Sequence, residues 1–225
     1  MKKNDFLVIL IVFAVLSPFL LFKSVYETYN HLNSSHGIVM SFLKFAILAT
    51  FGESIALRIK SGVYNENGFG LFPRAIVWGF LGITIKMAMV IFASGVPVFL
   101  KYLGFQNPEI HPGDIGIQSI FVAFTISSTM NLIYAPVMMT VHKITDIHIL
   151  TNGGTIKGLL RPIPIGLIFK QIDWDRQWNF VFKKTIPFFW IPAHTITFLL
   201  PIDFQVLFAA LLGVALGVIL SFSSK

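Results

Sequence analysis

Residues 37–57 read GIVMSFLKFAILATFGESIAL, and residues 75–100 read AIVWGFLGITIKMAMVIFASGVPVFL. Each stretch is long enough for the roughly 20 apolar residues with which a helix crosses a bilayer. Each also contains an ionisable side chain near small residues, Glu53 in the first and Lys86 in the second. A charge in the middle of a membrane helix costs about 2.5–3.5 kcal/mol on insertion scales, so it usually faces a partner or a water-filled cavity. The two stretches therefore predict a multi-spanning membrane protein with a polar interior.

The composition agrees with one integral membrane domain over residues 1–225. Hydrophobic residues make up 55% of the chain and charged residues 12%, whereas soluble domains have about 25% charged residues. The net charge of +7 comes from basic residues beside apolar stretches, which favours membrane topology over a nucleic-acid partner. The chain has no cysteine, which excludes disulfides, a thiol nucleophile and thiolate metal sites.

Six apolar segments predict an all-α bundle of about six transmembrane helices. They lie at residues 6–22, 37–57, 75–100, 116–141, 185–200 and 204–222. Residues 1–24 are expected to be an uncleaved first helix, because no small-x-small cleavage site follows the apolar core. Residues 142–184 are expected to form a cytoplasmic or interfacial loop. Basic residues that include Lys2, Arg58, Arg74, Lys143 and Lys225 collect on one side of this arrangement, whereas Lys23 and Lys101 lie on the other. This asymmetry places both termini in the cytoplasm.

Small residues recur at helical spacing and predict close helix–helix contacts. They are Gly79 and Gly82 in the third segment and Ala209, Gly213 and Gly217 in the sixth. Because Glu53 and Lys86 share faces with such residues, we expect them to form an ion pair between neighbouring helices. Two roles stay open for that pair: fixing the register of two helices, or lining a solute path.

Further polar residues are candidates for the same solute path. They are Gln118, Thr125 and Asn131 in the fourth segment and His194 in the fifth. The alternative for each is ordinary hydrogen bonding, because a hydroxyl can bond to the backbone of its own helix and a lone buried histidine is often structural.

The order of residues from Tyr29 to Ser221 resembles that of a known family. The residues that carry the resemblance are Tyr29, Ser35, His36, Phe51, Gly52, Glu53, Arg74, Gly79, Gly82, Phe198, Pro201, Leu220 and Ser221. The order is similar to that of the twenty-two kilodalton peroxisomal membrane protein family, which includes a mitochondrial inner-membrane protein linked to mitochondrial DNA maintenance. The resemblance, as a bacterial-type or divergent member, implies four family spans with residues 6–22 as an addition. It also implies channel formation or an effect on solute permeability.

Together these observations predict a multi-pass channel or transporter-like protein for small solutes, embedded in the lipid bilayer of a bacterial cytoplasmic membrane. The alternative is a non-conducting structural or accessory subunit that packs against a membrane partner or a second copy of itself. The sequence has no hydrolase, zinc-protease or phosphate-loop motif, so no enzyme activity, cofactor or metal is predicted.

Overall fold

The structure is a computed structural model that describes residues 3–110 and 115–223, with side chains described for residues 4–110 and 115–218. Lys2 and Lys225, which contribute to the charge asymmetry, lie outside the described residues. Every regular element within the described ranges is helical, in agreement with the predicted all-α class. Four of these helices are long and apolar enough to cross a membrane.

The chain divides into two compact units, residues 1–40 and residues 41–225. In the first unit, α1 spans Lys3–Leu21 and α2 spans Lys23–Ser35, with a break at Phe22. The window Asn4–Leu21 of α1 is apolar and 0% buried. A helix that is apolar on all sides and unburied is suited to lipid rather than water.

The second unit contains the remaining helices. Three of them are long: α3 spans Gly37–Ser61 and starts in the first unit, α4 spans Leu71–Tyr102, and α5 spans Ile117–Thr151. Three short helices follow, α6 at Ile156–Leu159, α7 at Ile165–Gln171 and α8 at Trp174–Arg176. A π-helix at Gln177–Trp190 then continues directly into α9 at Ile191–Leu199, and α10 spans Ile202–Ser223.

Helices extend into both ends of residues 142–184, the segment expected to be a cytoplasmic or interfacial loop. Helix α5 continues past Val141 to Thr151, and the π-helix begins at Gln177 instead of the expected Thr185. The sequence pattern failed at α5 because His142 and Asp146 look like loop residues. In the structure both side chains have partners on neighbouring helices, so they do not end the helix.

The π-helix is unusual because of its length of 14 residues. Such helices are rare and mostly occur as single turns, often at functional sites. Pro187 lies inside it and Pro192 is the second residue of the helix that follows, and each proline removes a backbone donor. The fifth apolar segment is therefore a longer and differently wound helix than the kinked span 185–200 that the prolines suggested.

The core lies between α3, α4, α5, α9 and α10. Its buried side chains include Phe45, Met89, Ile126, Phe198 and Ala210. The outer faces of the same helices carry large exposed apolar side chains. Such wide apolar outer surfaces, together with the long apolar helices, indicate a membrane-embedded protein.

Candidate functional site: a polar cluster at the end of a lengthwise cavity

An ion pair between Glu53 of α3 and Arg74 of α4 is the centre of the site. Arg74 Nη1 binds Glu53 Oε2, and its Nη2 binds Asp146 Oδ1 of α5. The Arg74 side chain is only 7% exposed and that of Glu53 is 21% exposed. One guanidinium thus joins two carboxylates from two different helices, a use for which its fork of donors is well suited.

The other oxygen of Glu53 accepts from an aromatic residue of each neighbouring helix. Trp78 Nε1 donates to Glu53 Oε1 at 2.9 Å, and His142 Nε2 lies 3.0 Å from the same oxygen. The Trp78 and His142 rings contact each other with centroids 4.4 Å apart. We call these five residues, Glu53, Arg74, Trp78, His142 and Asp146, the polar cluster.

Helical spacing positions the polar cluster. Arg74 and Trp78 are one turn apart on α4, and His142 and Asp146 are one turn apart on α5, so each pair shares a face. Lys143 Nζ adds a contact with Asp146 Oδ2 at 3.5 Å.

The loop before α4 fixes the Arg74 side chain. Arg74 Nε donates to the carbonyl of Phe69 at 2.7 Å, and the guanidinium lies over the Phe69 ring, 4.6 Å from its centroid. Gly70 has φ +74°, and a Cβ there would lie 2.9 Å from Gly154 Cα, beyond the end of α5. A glycine is required at this position by both its left-handed backbone and the close approach of the two loops.

A second polar group lies on α5 and α9. Asn131 Nδ2 donates to the Ser127 carbonyl at 2.8 Å and lies 3.0 Å from His194 Nδ1. Ser127 Oγ donates to the Ile191 carbonyl at 2.7 Å. The His194 ring stacks on Trp190 at 5.1 Å between centroids. The group is buried, and we call Asn131 and His194 the amide–imidazole pair.

One cavity of about 320 Å³ connects the polar cluster to the amide–imidazole pair. We call it the inner cavity. The α5 residues that line it are Met130, Asn131, Tyr134, Ala135, Met138, Met139, His142 and Lys143. Their spacing of three and four residues defines one face of a helix. From Asn131 to His142 this face runs about 16 Å along the helix axis at 1.5 Å per residue, so the inner cavity is a lengthwise space.

The other walls of the inner cavity come from α3, α4, the π-helix with α9, and α10. The residues that line these walls include Phe45, Ala49, Glu53, Ala56, Trp78, Ile85, Gln177, Val181, Thr185, Trp190, His194, Ala209, Gly213, Leu216 and Gly217. The lining is largely apolar, with polar side chains concentrated in the two groups described above.

The predicted path residues are only partly brought together. Glu53, Asn131 and His194 line the inner cavity, but Lys86 lines a different one. The expected Glu53–Lys86 ion pair is therefore wrong, because Arg74 occupies the position of partner to Glu53. Gln118 is exposed and donates to the Gln106 carbonyl at 3.3 Å. Thr125 donates to the Phe121 carbonyl of its own helix at 2.8 Å. This is the ordinary hydrogen bonding that was the alternative to a place in the solute path.

The predicted packing glycines of α4 lie directly against α3. A Cβ at Gly79 would collide with the Phe42 ring, and a Cβ at Gly82 would lie 2.6 Å from Phe45 Cβ. On α10, a Cβ at Gly217 would lie 3.2 Å from the Gly52 carbonyl oxygen of α3.

The other two small residues of α10 line the inner cavity. A Cβ added at Gly213 meets no described atom within 4 Å, whereas Ala209 is buried. The two ends of this ridge therefore differ, with close contact at Gly217 and open space at Gly213.

Sequence reasoning missed Arg74, Trp78, His142 and Asp146 as members of the site. The sequence indicates Arg74 only as one of the basic residues that orient the bundle and as part of the family resemblance. One signal was available, because His142 continues the spacing of Asn131, Ala135 and Met138 on one helical face.

Comparisons with known proteins gave no match, whether to a protein-family model, a curated protein or a solved structure.

Proposed function

We propose that this protein is a multi-pass membrane channel or transporter-like protein that moves a small solute through the inner cavity. The observation that carries the proposal is a lengthwise space of about 320 Å³ between six helical elements, α3, α4, α5, the π-helix, α9 and α10. Protein interiors are close-packed, so a bundle that served only as a scaffold gains stability by filling such a space. A mostly apolar cavity with a few placed polar groups is typical of a small-molecule site.

The charges around the inner cavity favour a neutral or zwitterionic solute. The carboxylates of Glu53 and Asp146 are matched by the cations of Arg74 and Lys143. A balanced set attracts neither sign strongly at long range. The amide–imidazole pair then offers uncharged donors and acceptors further along the same cavity.

We propose six spans with both termini in the cytoplasm, in a bacterial cytoplasmic membrane. The ion pairs support the arrangement, since the start of α4 meets the later parts of α3 and α5, as antiparallel neighbours do. Arg58, Lys60 and Arg74 lie at this same end, in agreement with the positive-inside rule.

We also propose kinship with the twenty-two kilodalton peroxisomal membrane protein family. Glu53 and Arg74, two residues that carry the resemblance, form the central ion pair. Gly79 and Gly82, two others, lie against α3.

The alternative function, a non-conducting accessory subunit, drew its support from the small-residue ridge of α10. That ridge is occupied within the chain, because Gly217 lies against α3 and Gly213 lines the inner cavity. No specific observation favours the accessory function over the channel or transporter.

Flux measurements in liposomes test the proposal with the variant Gly213→Leu. A Cβ at Gly213 meets no described atom within 4 Å, and Gly213 lines the inner cavity, so we expect a leucine there to fill part of that cavity. We expect solute flux to fall while thermal stability stays the same or rises. Gly95→Leu is the matched control, since a Cβ at Gly95 of α4 also meets no described atom within 4 Å and Gly95 is exposed.

Two results contradict the proposed function. One is wild-type flux no higher than that of empty liposomes over a panel of neutral, zwitterionic and ionic solutes. The other is undiminished flux through Gly213→Leu, which means that any solute passes elsewhere.

A further inference from the structure

A second cavity of about 450 Å³ lies beyond the amide–imidazole pair. We call it the outer cavity. The residues that line it are Lys86, Met89, Val90, Ala93, Ser94, Pro97, Glu109, Ile110, Ile126, Phe198, Ile202 and Gln205. Lys86, the unexplained charge of α4, is thus placed in a cavity with a second charged residue, Glu109, and the amide of Gln205.

The inner and outer cavities are bounded by the same helices at adjacent turns. On three of these helices a residue of the inner cavity and a residue of the outer cavity are four positions apart. The pairs are Met130 and Ile126 on α5, His194 and Phe198 on α9, and Ala209 and Gln205 on α10. Four residues of an α-helix rise about 6 Å, so the two cavities end about one turn apart on these three helices. On α4 they adjoin, because Ile85 lines the inner cavity and Lys86 lines the outer cavity.

The turn between the cavities is made of buried apolar side chains. We call Ile85, Met89, Ile126, Met130 and Phe198 the apolar layer. All five belong to one packed core cluster. A narrow apolar constriction excludes water. A polar solute cannot pass it, because the solute would have to lose its hydrating water there. Two of the five are methionines, whose unbranched side chains change rotamer readily.

We propose that the inner and outer cavities are two halves of one solute path, and that the apolar layer is its gate, closed in this structure. The inference rests on the proposed function, which it deepens by naming the closed point of the path. It also assigns Lys86 and Glu109 to the outer half of the path and the polar cluster to the inner half.

The substitution Ile126→Ala tests the gate. It shortens one side chain of the apolar layer without adding a polar group. Ile149→Ala is the matched control, because Ile126 and Ile149 are each 1% exposed and both lie on α5. Ile149 packs at the far end of the helix, where its Cγ2 faces Gly70. The two variants lose the same atoms from equally buried sites, so a general loss of packing affects both.

Thiol labelling reports whether the cavities join, independently of any solute. The chain has no cysteine, so Ala135→Cys places one thiol in the inner cavity and Ser94→Cys places one in the outer cavity. A membrane-impermeant, charged methanethiosulfonate is added to spheroplasts. We expect Ser94→Cys to be labelled and Ala135→Cys to stay unlabelled. Adding Ile126→Ala should expose the Ala135→Cys thiol, and adding Ile149→Ala should not.

Flux is measured on the same variants in liposomes. We expect Ile126→Ala to raise flux about tenfold, equal to about 1.4 kcal/mol off the barrier, and Ile149→Ala to leave it unchanged. Rapid labelling of Ala135→Cys with the apolar layer intact contradicts the proposal that this layer is a closed gate. The proposal is also contradicted if the Ala135→Cys thiol stays unlabelled when Ile126→Ala is added. The expected labelling without flux in any variant supports a closed layer and contradicts the proposed function, so the two failures are distinguishable.

Discussion

The ion pair of Arg74 gives the sharpest quantitative prediction, made with the substitution Arg74→Met. Arg74 is 7% exposed and binds the carboxylates of both Glu53 and Asp146. Its removal leaves two carboxylates without their shared cation, and breaking a buried pair costs about 3–5 kcal/mol. Glu53→Gln should cost less, about 1–3 kcal/mol, because Arg74 keeps Asp146 and the glutamine oxygen still accepts from Trp78.

The double variant decides whether Glu53 and Arg74 are coupled. Unfolding of the purified protein in detergent measures each variant, and a loss of 3–5 kcal/mol corresponds to a fall in Tm of about 6–20 °C. If the two residues interact as the structure shows, the double variant loses less than the sum of the singles, by about 0.5–3 kcal/mol. Additive losses refute the reasoning, since they mean that neither residue depends on the other.

Lys86→Met supplies the matched control for this cycle. Lys86 lines the outer cavity and Glu53 lines the inner cavity, so the pair Glu53→Gln and Lys86→Met should show additive losses. Coupling between these two, with none between Glu53 and Arg74, restores the ion pair that the sequence suggested and contradicts the structure.

Three further predictions concern topology, packing and the amide–imidazole pair. Reporter fusions in the loop before α4 and directly after α5 should report a cytoplasmic location, and fusions between α4 and α5 an extracytoplasmic one; an extracytoplasmic signal after α5 contradicts the proposed topology. Gly217→Leu should lower Tm because its side chain meets the Gly52 carbonyl, whereas Gly213→Leu should not; equal Tm values for the two variants disprove the contact. Asn131→Leu should cost about 1–3 kcal/mol in denaturant unfolding, because it leaves His194 Nδ1 buried without its partner; an unchanged midpoint shows that the hydrogen bond is dispensable.

The helices were largely predictable from the sequence, because long apolar runs have few alternatives in a membrane. The bounds of α1, α3 and α4 lie close to the predicted segments 6–22, 37–57 and 75–100. The end of α5 and the π-helix were not predictable in this way. Their residues are polar or rich in proline, and only contacts with other helices keep such segments helical.

The sequence was enough to predict that Glu53 belongs to a polar site, but not which residue forms the ion pair with it. Glu53 stood out because a carboxylate in an apolar run needs compensation, and it does lie in the polar cluster. The choice between Arg74 and Lys86 depends on which turn of α4 faces Glu53. Helical periodicity leaves that undecided, because the register between two helices is set by packing, here through Gly79 and Gly82 against α3.

The short sequence distance between Glu53 and Arg74 has a consequence for biogenesis. The two residues are 21 positions apart, so both are synthesised before any part of α5. Helices α3 and α4 can enter the bilayer as a hairpin whose opposite charges already neutralise each other, which lowers the cost of inserting a carboxylate. Asp146 can pair with Arg74 only after the end of α5 has been synthesised, and this ion pair then connects the hairpin to α5. The order of synthesis therefore allows the Glu53–Arg74 ion pair to form before the Arg74–Asp146 ion pair.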